Sequence, residues 1–370
     1  MNDLQKATYV VLVHKLTELG LNVRPSDTVS EGPILTIYRV IPFGSTKVSH
    51  IEAISADLAI ALGVEDVVVK RIPGEAAVSL FIPNKDRRWV DWKLEIGGVA
   101  TIVKAMKPKV PLFLGVDHLG RYVIEDLTLF PHLLIAGSTG GGKSTLTTSL
   151  IGTLAWLYKP NEVRFALSDT KGVEFGHFIG LPHLLFDPAT NIYRTLEQMD
   201  WLIEEMERRL HLCSKAQVHN IIEYNERFTT TTLPYVVFLI DELADLLLDS
   251  RKEGDEGKGP TLGKIAHGKL FKLAQKARAT GIHVIASTQR PSVKLVDGDV
   301  KANFPARLSF RLPSEADSRT VLGTSGAEHL LARGDMLFIS PNKPGISRVH
   351  APKSEVEDVK ACVEYASRRG

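Results

Sequence analysis

The chain has 370 residues, of which 44% are hydrophobic and 24% are charged, and its formal net charge at pH 7 is +2. This composition is typical of an ordinary globular protein, and the length allows two or three domains with large cores. The nearly neutral balance excludes binding to nucleic acid through overall charge alone, so any such binding would need local basic patches.

Cysteine content and hydropathy indicate the compartment. Only two cysteines occur, Cys213 and Cys362, and they do not form a close metal-ligand pair. This favours a reducing, cytoplasmic location. We recognise neither a signal peptide nor an apolar run long enough to span a bilayer, so we expect no membrane contact from this chain itself.

The first part of the chain predicts a small α+β domain. Apolar residues from Tyr9 to Leu19 recur at helical spacing, which predicts an amphipathic helix over residues 1 to about 22. Strand patterns at 34–41, 67–69 and 78–82 and a helical pattern at 51–62 follow. Segment 104–111, rich in lysine and proline, predicts a linker. We therefore predict domains at 1–105 and 106–370.

The strongest motif is a glycine-rich loop between a predicted strand, 133–136, and a helical pattern that runs to Leu157. It fits the phosphate loop G-x-x-x-x-G-K-[ST], in which backbone N–H groups surround phosphates, Lys143 reaches the β and γ phosphates and the Ser144 hydroxyl binds Mg²⁺. The alternative is a glycine-rich turn that binds nothing. The predicted cofactors are ATP and Mg²⁺, and the predicted nucleotide-binding residues are Gly137, Ser138, Thr139, Gly140, Gly141, Gly142, Lys143, Ser144 and Thr145.

Strands and helices alternate beyond this loop, which predicts an α/β fold with a parallel-rich central sheet. The apolar strand 235–240 is followed directly by Asp241 and Glu242. Asp241 can complete the shell of a Mg²⁺ ion, and Glu242 can orient the attacking water. The alternative for this acidic pair is a helix N-cap.

A third strand, 283–287, leads to Gln289, which we interpret as a sensor of the γ-phosphate or, alternatively, as a simple turn residue. The segment 292–307 that follows combines Lys294, Lys301, Asn303 and Arg307 with glycine and proline. It predicts a mobile basic segment that could bind phosphates of a nucleic acid.

Together these residues resemble the motor region of the FtsK/SpoIIIE family of double-stranded DNA translocases. The first domain is similar to the family's α domain through Gly32-Pro33, Ile72-Pro73-Gly74 and Ile82-Pro83-Asn84. The second part matches family motifs at 131–137, 205–209, 241–245, 274–278, 288–291, 301–303, 317–320 and 334–337.

The resemblance implies a RecA-like ATPase core after the α domain, a hexameric ring around double-stranded DNA, and ATP hydrolysis at subunit interfaces. It implies that Arg278 is an arginine finger, with Arg307, Arg311 and Arg319 as weaker candidates. Without the family, Arg278 would be interpreted as an exposed helix arginine. DNA contacts would come from Lys294, Lys301 and Asn303, with 171–177 as a second loop. The alternatives are a RecA-like helicase or strand-exchange protein, a packaging or conjugation ATPase, and a nucleotide-gated ring scaffold.

The sequence also departs from the family. Asp169-Thr170-Lys171 replaces the usual Asp-Pro-Lys, which puts the geometry of that loop in question. The stretch 249–268 is longer than the usual connection, lacks apolar periodicity and predicts a flexible surface loop. The family's membrane-spanning amino-terminal region and its winged-helix γ domain do not occur in this sequence. We therefore expect either an excised motor or a compact soluble member that serves packaging, conjugation or replicon partition.

Overall fold

The computed structural model describes residues 3–71, 77–252 and 259–369. The chain divides into two compact units, residues 1–90 with 116–122 and residues 91–115 with 123–370. The predicted motif Ile72-Pro73-Gly74 lies outside the described residues.

The first unit is an antiparallel sheet with three helices, which fits the α+β prediction. Leu12 and Leu16 of the first helix are fully buried in its core against the sheet residues Tyr38 and Leu80. The strands lie in the order β1-β2-β4-β3. The elements are α1 (Asp3–Glu18), β1 (Val23–Glu31), β2 (Leu35–Pro42), α2 (Val48–Ala53), α3 (Ser55–Leu62), β3 (Val68–Arg71) and β4 (Val78–Pro83).

Two features of this unit differ from the sequence prediction. The pattern 51–62 forms two short helices that meet at Ile54, instead of one. Strand β1 had no prediction, because its sequence VRPSDTVSE is mostly polar and contains a proline. Its pairing with β2 shifts register between Pro25 and Val29, as a β-bulge does.

The second unit is an α/β structure around one large sheet. It begins with α4 and the strand pair β5 and β6. Residues 116–122, which include the turn between these two strands, are assigned to the first unit. The elements are α4 (Trp92–Met106), β5 (Pro111–Asp117), β6 (Tyr122–Asp126), β7 (His132–Ala136), α5 (Lys143–Leu157), β8 (Val163–Ser168), α6 (Ile192–Ala216), α7 (Ile221–Arg227), β9 (Tyr235–Ile240), α8 (Leu243–Leu247), α9 (Leu262–Lys276), β10 (Ile282–Thr288), α10 (Gly298–Asn303), β11 (Ala306–Phe310), α11 (Glu315–Leu322), β12 (Asp335–Ile339), β13 (Ser347–His350) and α12 (Val356–Arg369).

The sheet has nine strands in the order β6-β5-β13-β12-β11-β7-β10-β9-β8. From β11 to β8 all neighbours are parallel, and β12 and β13 pair antiparallel. Strands β7 to β10 are mostly apolar and almost entirely buried, as expected for strands that are covered on both faces. The predicted α/β class with a parallel-rich sheet is confirmed. The loops that follow β7, β8, β9 and β10 lie together at one edge, which we call the carboxyl edge.

Helix α4 explains why the units divide near residue 90 while the predicted boundary was near 105. Its buried residues Trp92, Ile96, Val99 and Val103 recur at helical spacing, and the Asp91 side chain caps it by accepting from the N–H groups of Lys93 and Leu94. The helix includes Lys104, so only 107–110 of the predicted linker separate it from β5.

Two predicted loops are also more ordered than expected. The segment 292–307 contains α10 and the start of β11, and it places Leu295, Val296, Val300 and Phe304 in the main core. Of the stretch 249–268, residues 262–268 belong to α9, whose N-cap Thr261 accepts from Lys264 N–H. Residues 253–258 lie outside the described ranges.

Candidate nucleotide-binding site

The predicted phosphate loop joins β7 to α5 at the carboxyl edge, in the strand-to-helix context that the motif requires. Gly142 caps α5 with φ at +119°, a conformation that side chains other than glycine rarely adopt. A Cβ atom on Gly137 would lie 2.7 Å from the Cβ of Phe310, so a side chain there would displace the ring. These two glycines are therefore required for both the turn and the packing.

Backbone bonds from distant strands hold the loop in place. Ser138 donates from its N–H and its hydroxyl to the carbonyl of Arg311, at 3.1 and 3.0 Å. Gly334 N–H donates to the carbonyl of Gly141 at 2.9 Å. The sequence did not predict this supporting role of Phe310, Arg311 and Gly334, since no local pattern marks residues about 170 to 190 positions away as neighbours.

Lys143 is buried, with 3% of its surface exposed, and its ammonium group lies beside the end of β9. It donates to the backbone carbonyl and to Oδ1 of Asp241, both at 2.8 Å, and approaches the Ser287 hydroxyl at 3.4 Å. The two predicted residues therefore meet as a buried ion pair in which each charge compensates the other.

The sequence-predicted donors for Mg²⁺ are one hydroxyl, on Ser144, and one carboxylate, on Asp241. Within the described ranges, no cluster of three or more His, Cys, Asp or Glu side chains could hold a metal ion. Mg²⁺ in nucleotide sites is commonly held by one or two protein oxygens together with phosphate oxygens. The residues present fit that type of site and do not form a self-sufficient metal cage.

Glu242 is 4% exposed, and both of its carboxylate oxygens accept hydrogen bonds. Oε1 accepts from the Thr288 hydroxyl at 2.6 Å and from Ala244 N–H at 3.2 Å, and Oε2 accepts from Gln289 N–H at 2.9 Å. The bond to Ala244 makes Glu242 the N-cap of α8. The helix-cap interpretation of the acidic pair is thus correct for Glu242, and it does not remove the side chain from the site.

Gln289 links the end of β10 to the phosphate loop. Its Oε1 accepts from the Thr139 hydroxyl at 3.1 Å. Since β10 lies between β7 and β9 in the sheet, residues 288 and 289 stand between the phosphate loop and Glu242. The structure thus brings Thr139, Gln289 and Glu242 into one hydrogen-bonded chain. Thr288 belongs to this chain as well, and no sequence pattern predicted a role for it.

Arg278 lies elsewhere. It is exposed in a 3₁₀ turn, Ala277–Thr280, that precedes the amino end of β10. The seven residues of β10 separate it from the carboxyl edge by roughly 20 Å. Arg278 therefore cannot reach the phosphate loop of its own chain.

The three weaker finger candidates have different surroundings. Arg307 is half-buried in β11, and burial lowers the pKa of its guanidinium. Arg311 is exposed directly beside the phosphate loop, which its carbonyl supports. Arg319 is exposed on α11 and forms an ion pair with Glu315 at 2.6 Å.

The three predicted DNA-binding residues lie on the segment that follows β10. Lys294 is exposed, whereas Lys301 and Asn303 are partly buried on α10. The Asn303 amide donates to the carbonyl of Asp299 at 2.8 Å. Lys294 is therefore the most accessible of the three.

The departure at Thr170 does not leave its loop irregular. The buried Asp169 carboxylate accepts from the backbone N–H groups of Lys171, Gly172, Glu174 and Phe175, at 2.6 to 3.2 Å. Four donors on one carboxylate fix the turn without the usual proline.

Comparison with known proteins places this site in a family. The FtsK/SpoIIIE family matches residues 102–293, and the FtsK alpha domain matches residues 2–84. A DNA translocase FtsK from Borreliella burgdorferi is 37% identical over 100% of this chain and 45% of its own length. One from Pseudomonas aeruginosa is 35% identical over 96% of this chain and 45% of its own length. The chain thus spans about half the length of the curated relatives it matches.

Solved structures share the fold at lower identity. The pCW3 conjugation coupling protein TcpA, in a monomer form with ATPγS, is 22% identical, with a TM-score of 0.70 and 100% of both chains covered. The cytoplasmic domain of the Type VII secretion ATPase EccC from Thermomonospora curvata is 23% identical, with a TM-score of 0.58 over 70% of this chain and 31% of its own. In the ranges that the structure describes, no helix has the length and apolar character needed to cross a membrane. By its sequence and by both of its matched domains, the chain belongs to the FtsK/SpoIIIE family.

Proposed function

We propose that this chain is a motor that couples ATP hydrolysis to movement along double-stranded DNA. One observation carries the proposal: the end of β10 is hydrogen-bonded to the phosphate loop through Gln289 and to the buried carboxylate of Glu242 through residues 288 and 289. A site that only gates assembly has no need of a carboxylate positioned beside the phosphate loop. The relatives named as DNA translocases support DNA as the track.

The site residues divide the chemistry among them. Lys143 exchanges the oxygens of Asp241 for those of the β and γ phosphates, and the N–H groups of 137–145 surround the phosphate chain. Ser144 and Asp241 would hold Mg²⁺, which when bound neutralises charge on the phosphate oxygens. Glu242 orients the attacking water and accepts its proton, while Gln289 responds to the γ-phosphate.

The site is completed by a second copy of the chain. Because Arg278 lies at the opposite edge of the sheet from its own phosphate loop, it can serve only a neighbour's site. A head-to-tail contact of this kind closes into a ring, and we propose the hexamer that the family resemblance implies. In the ring, Arg278 stabilises the charge that develops on the transferred phosphoryl group.

We propose that the motor binds duplex DNA through its backbone phosphates. The proposed contacts are Lys294, Lys301 and Asn303, on the segment after β10, with 171–177 as a second loop. Contacts to the backbone of the duplex carry little sequence information and weaken steeply as salt concentration rises. The free, buried thiols of Cys213 and Cys362 fit the cytoplasmic location that we propose for this motor.

Steady-state ATPase measurements with long linear duplex DNA, with single-stranded DNA of equal length and without DNA test the proposal. We expect strong stimulation by duplex alone. We expect Lys143→Ala to abolish turnover while the protein still unfolds in one cooperative thermal transition, at a lower temperature because Asp241 loses its buried partner. Lys360→Ala, an exposed lysine on α12, is the matched control. Unchanged turnover in Lys143→Ala would refute the site assignment. Stimulation by single strands would indicate a helicase, and slow turnover that ignores DNA would indicate a gated scaffold.

A further inference from the structure

Thr288, the last residue of β10, is fully buried and lies between Glu242 and the start of the basic segment. Its hydroxyl is 2.6 Å from Oε1 of Glu242 and 3.1 Å from the backbone nitrogen of Arg290. The Arg290 N–H can only donate, so the hydroxyl accepts from it and points its own proton at Glu242. The direction of both bonds is thereby fixed.

The hydrogen bond from Thr288 uses an acceptor position on the Glu242 carboxylate that the attacking water would need. An ionised carboxylate offers about four acceptor positions. Thr288, Ala244 and Gln289 use three of them, with at least one donor on each oxygen. A carboxylate that must accept a hydrogen bond from the attacking water and then its proton is already largely engaged with the protein in this arrangement.

The other partner of the hydroxyl, Arg290, begins the segment that carries the proposed DNA contacts. Ser292 N–H donates to the carbonyl of Arg290, and the N–H groups of Leu295 and Val296 donate back to that of Ser292. Lys294 is exposed within this hydrogen-bonded turn, and the buried Leu295 and Val296 anchor it. Backbone hydrogen bonds therefore link the turn that carries Lys294 to Arg290.

The side chain of Arg290 is also placed to meet a polyanion. It is exposed and lines a cleft of about 530 Å³ with Lys171 and Arg251. Lys171 is paired with Asp245 at 3.2 Å and Arg251 with Asp249 at 2.6 Å. Among the described residues, the guanidinium of Arg290 has no such acidic partner, so it is the cation of this cleft that a phosphate can engage without breaking an ion pair.

We propose that the Thr288 hydroxyl holds Glu242 in a resting position and releases it when the phosphate backbone of duplex DNA displaces the turn that begins at Arg290. This inference rests on the proposed function, and it names the physical link by which the track controls hydrolysis. Thr288 acts through Glu242 and is a positioning residue, not a catalytic one.

The test is Thr288→Val, which removes the hydroxyl and keeps the shape of the side chain. ATPase rates are measured over a range of ATP concentrations, with and without duplex DNA. We expect kcat without DNA to rise roughly tenfold, the lower end of what a hydrogen bond to a charged group contributes, so that the stimulation by DNA falls by the same factor. KM for ATP should change little, because the hydroxyl is directed at Glu242.

Thr288→Ser restores the hydroxyl and should restore the low rate without DNA. Thr288→Ala is a second variant without the hydroxyl, in case the valine perturbs folding. The inference would be overturned if the valine and alanine variants lost ATPase activity by the same factor with and without duplex DNA, so that stimulation by DNA was unchanged. The motor proposal would then still stand. An inactive parent protein would overturn both.

Discussion

The two edges of the parallel sheet hold buried polar groups in different ways. At the carboxyl edge, Lys143 and Glu242 bond to side chains, Asp241 and Thr288, as well as to backbone. At the opposite, amino edge, His132 and His283 bond to backbone carbonyls, and Arg209 bonds to two backbone carbonyls as well as to the Glu205 side chain. Side-chain partners can be exchanged for a ligand, whereas backbone partners fix the chain. The carboxyl edge can therefore exchange its side-chain partners for a ligand, whereas the amino edge mainly holds the backbone in place.

The amino edge supports the turn that carries Arg278. Arg209 is 2% exposed, and its Nη1 donates to the carbonyls of Pro234 and Thr280, at 2.8 and 2.9 Å. His132 accepts from Val284 N–H through Nδ1, so its Nε2 carries the proton and donates to the carbonyl of Ala274 at 3.0 Å. The residues on both sides of Arg278 are thus held by buried side chains.

Of the substitutions that test this difference between the edges, we expect Arg278→Ala to have the largest effect. If the amino edge presents Arg278 to a neighbour, DNA-stimulated ATPase should fall by about 10³-fold or more, which is the range for an arginine finger. Mixing Arg278→Ala with Lys143→Ala should restore activity, because some interfaces then join an intact phosphate loop to an intact arginine. In an equal mixture of independent interfaces, roughly a quarter are intact.

Arg121→Ala is the matched control for that experiment, since Arg121 is exposed, is paired with Asp117 and is not a finger candidate. It should retain near-parental activity. Mixtures that stay inactive, although each variant still assembles, would contradict a role for Arg278 at a neighbouring site.

The next effect concerns stability and compares two adjacent arginines. Arg209→Ala leaves Glu205 without its buried partner and two buried carbonyls without their donor, and it should lower the free energy of unfolding by about 3–5 kcal/mol. Arg208→Ala removes a half-exposed partner of the same Glu205 and should cost less than about 1 kcal/mol. Urea unfolding of both variants measures the difference. Equal losses of unfolding free energy in the two variants would show that the buried contacts of Arg209 do not stabilise the amino edge.

The sequence predicts the carboxyl edge better than the amino edge, for a physical reason. Each strand there is an apolar run that ends in a chemically distinctive residue, such as Gly137 or Asp241, and local pattern is enough to find it. The supports are non-local: Phe310 packs against Gly137 from 173 positions away by residue number. Arg209 was part of a family motif, but nothing in its helical pattern showed that its guanidinium reaches Thr280. Thr288 was recognised only as the first residue of the family motif 288–291.

The buried histidines give a prediction whose effect is small for each unit of pH. Burial, and for His132 also the charge of His283, lowers the pKa of His132 to about 3, and burial lowers the pKa of His283 to about 4. In the unfolded chain both imidazoles titrate near 6.5, so the unfolded state binds more protons between pH 6.5 and 4. Their contribution to stability is complete above pH 6.5 and is lost as the pH falls toward the folded values, by about 1.4 kcal/mol per pH unit for each histidine.

Urea unfolding at several pH values between 7.5 and 4.5 measures this slope. His132→Asn preserves an acceptor for Val284 N–H and removes one titrating imidazole, so its slope over this range should be lower by about one proton. His211→Asn, at an exposed histidine of α6, is the control and should leave the slope as it is in the parent protein. An unaltered slope in His132→Asn would mean that His132 takes up its proton without unfolding. The hydrogen bonds of His132 at the amino edge would then change on protonation, just as those of Lys143 at the carboxyl edge change when a ligand binds. The two edges would no longer differ in how firmly they hold their buried polar groups.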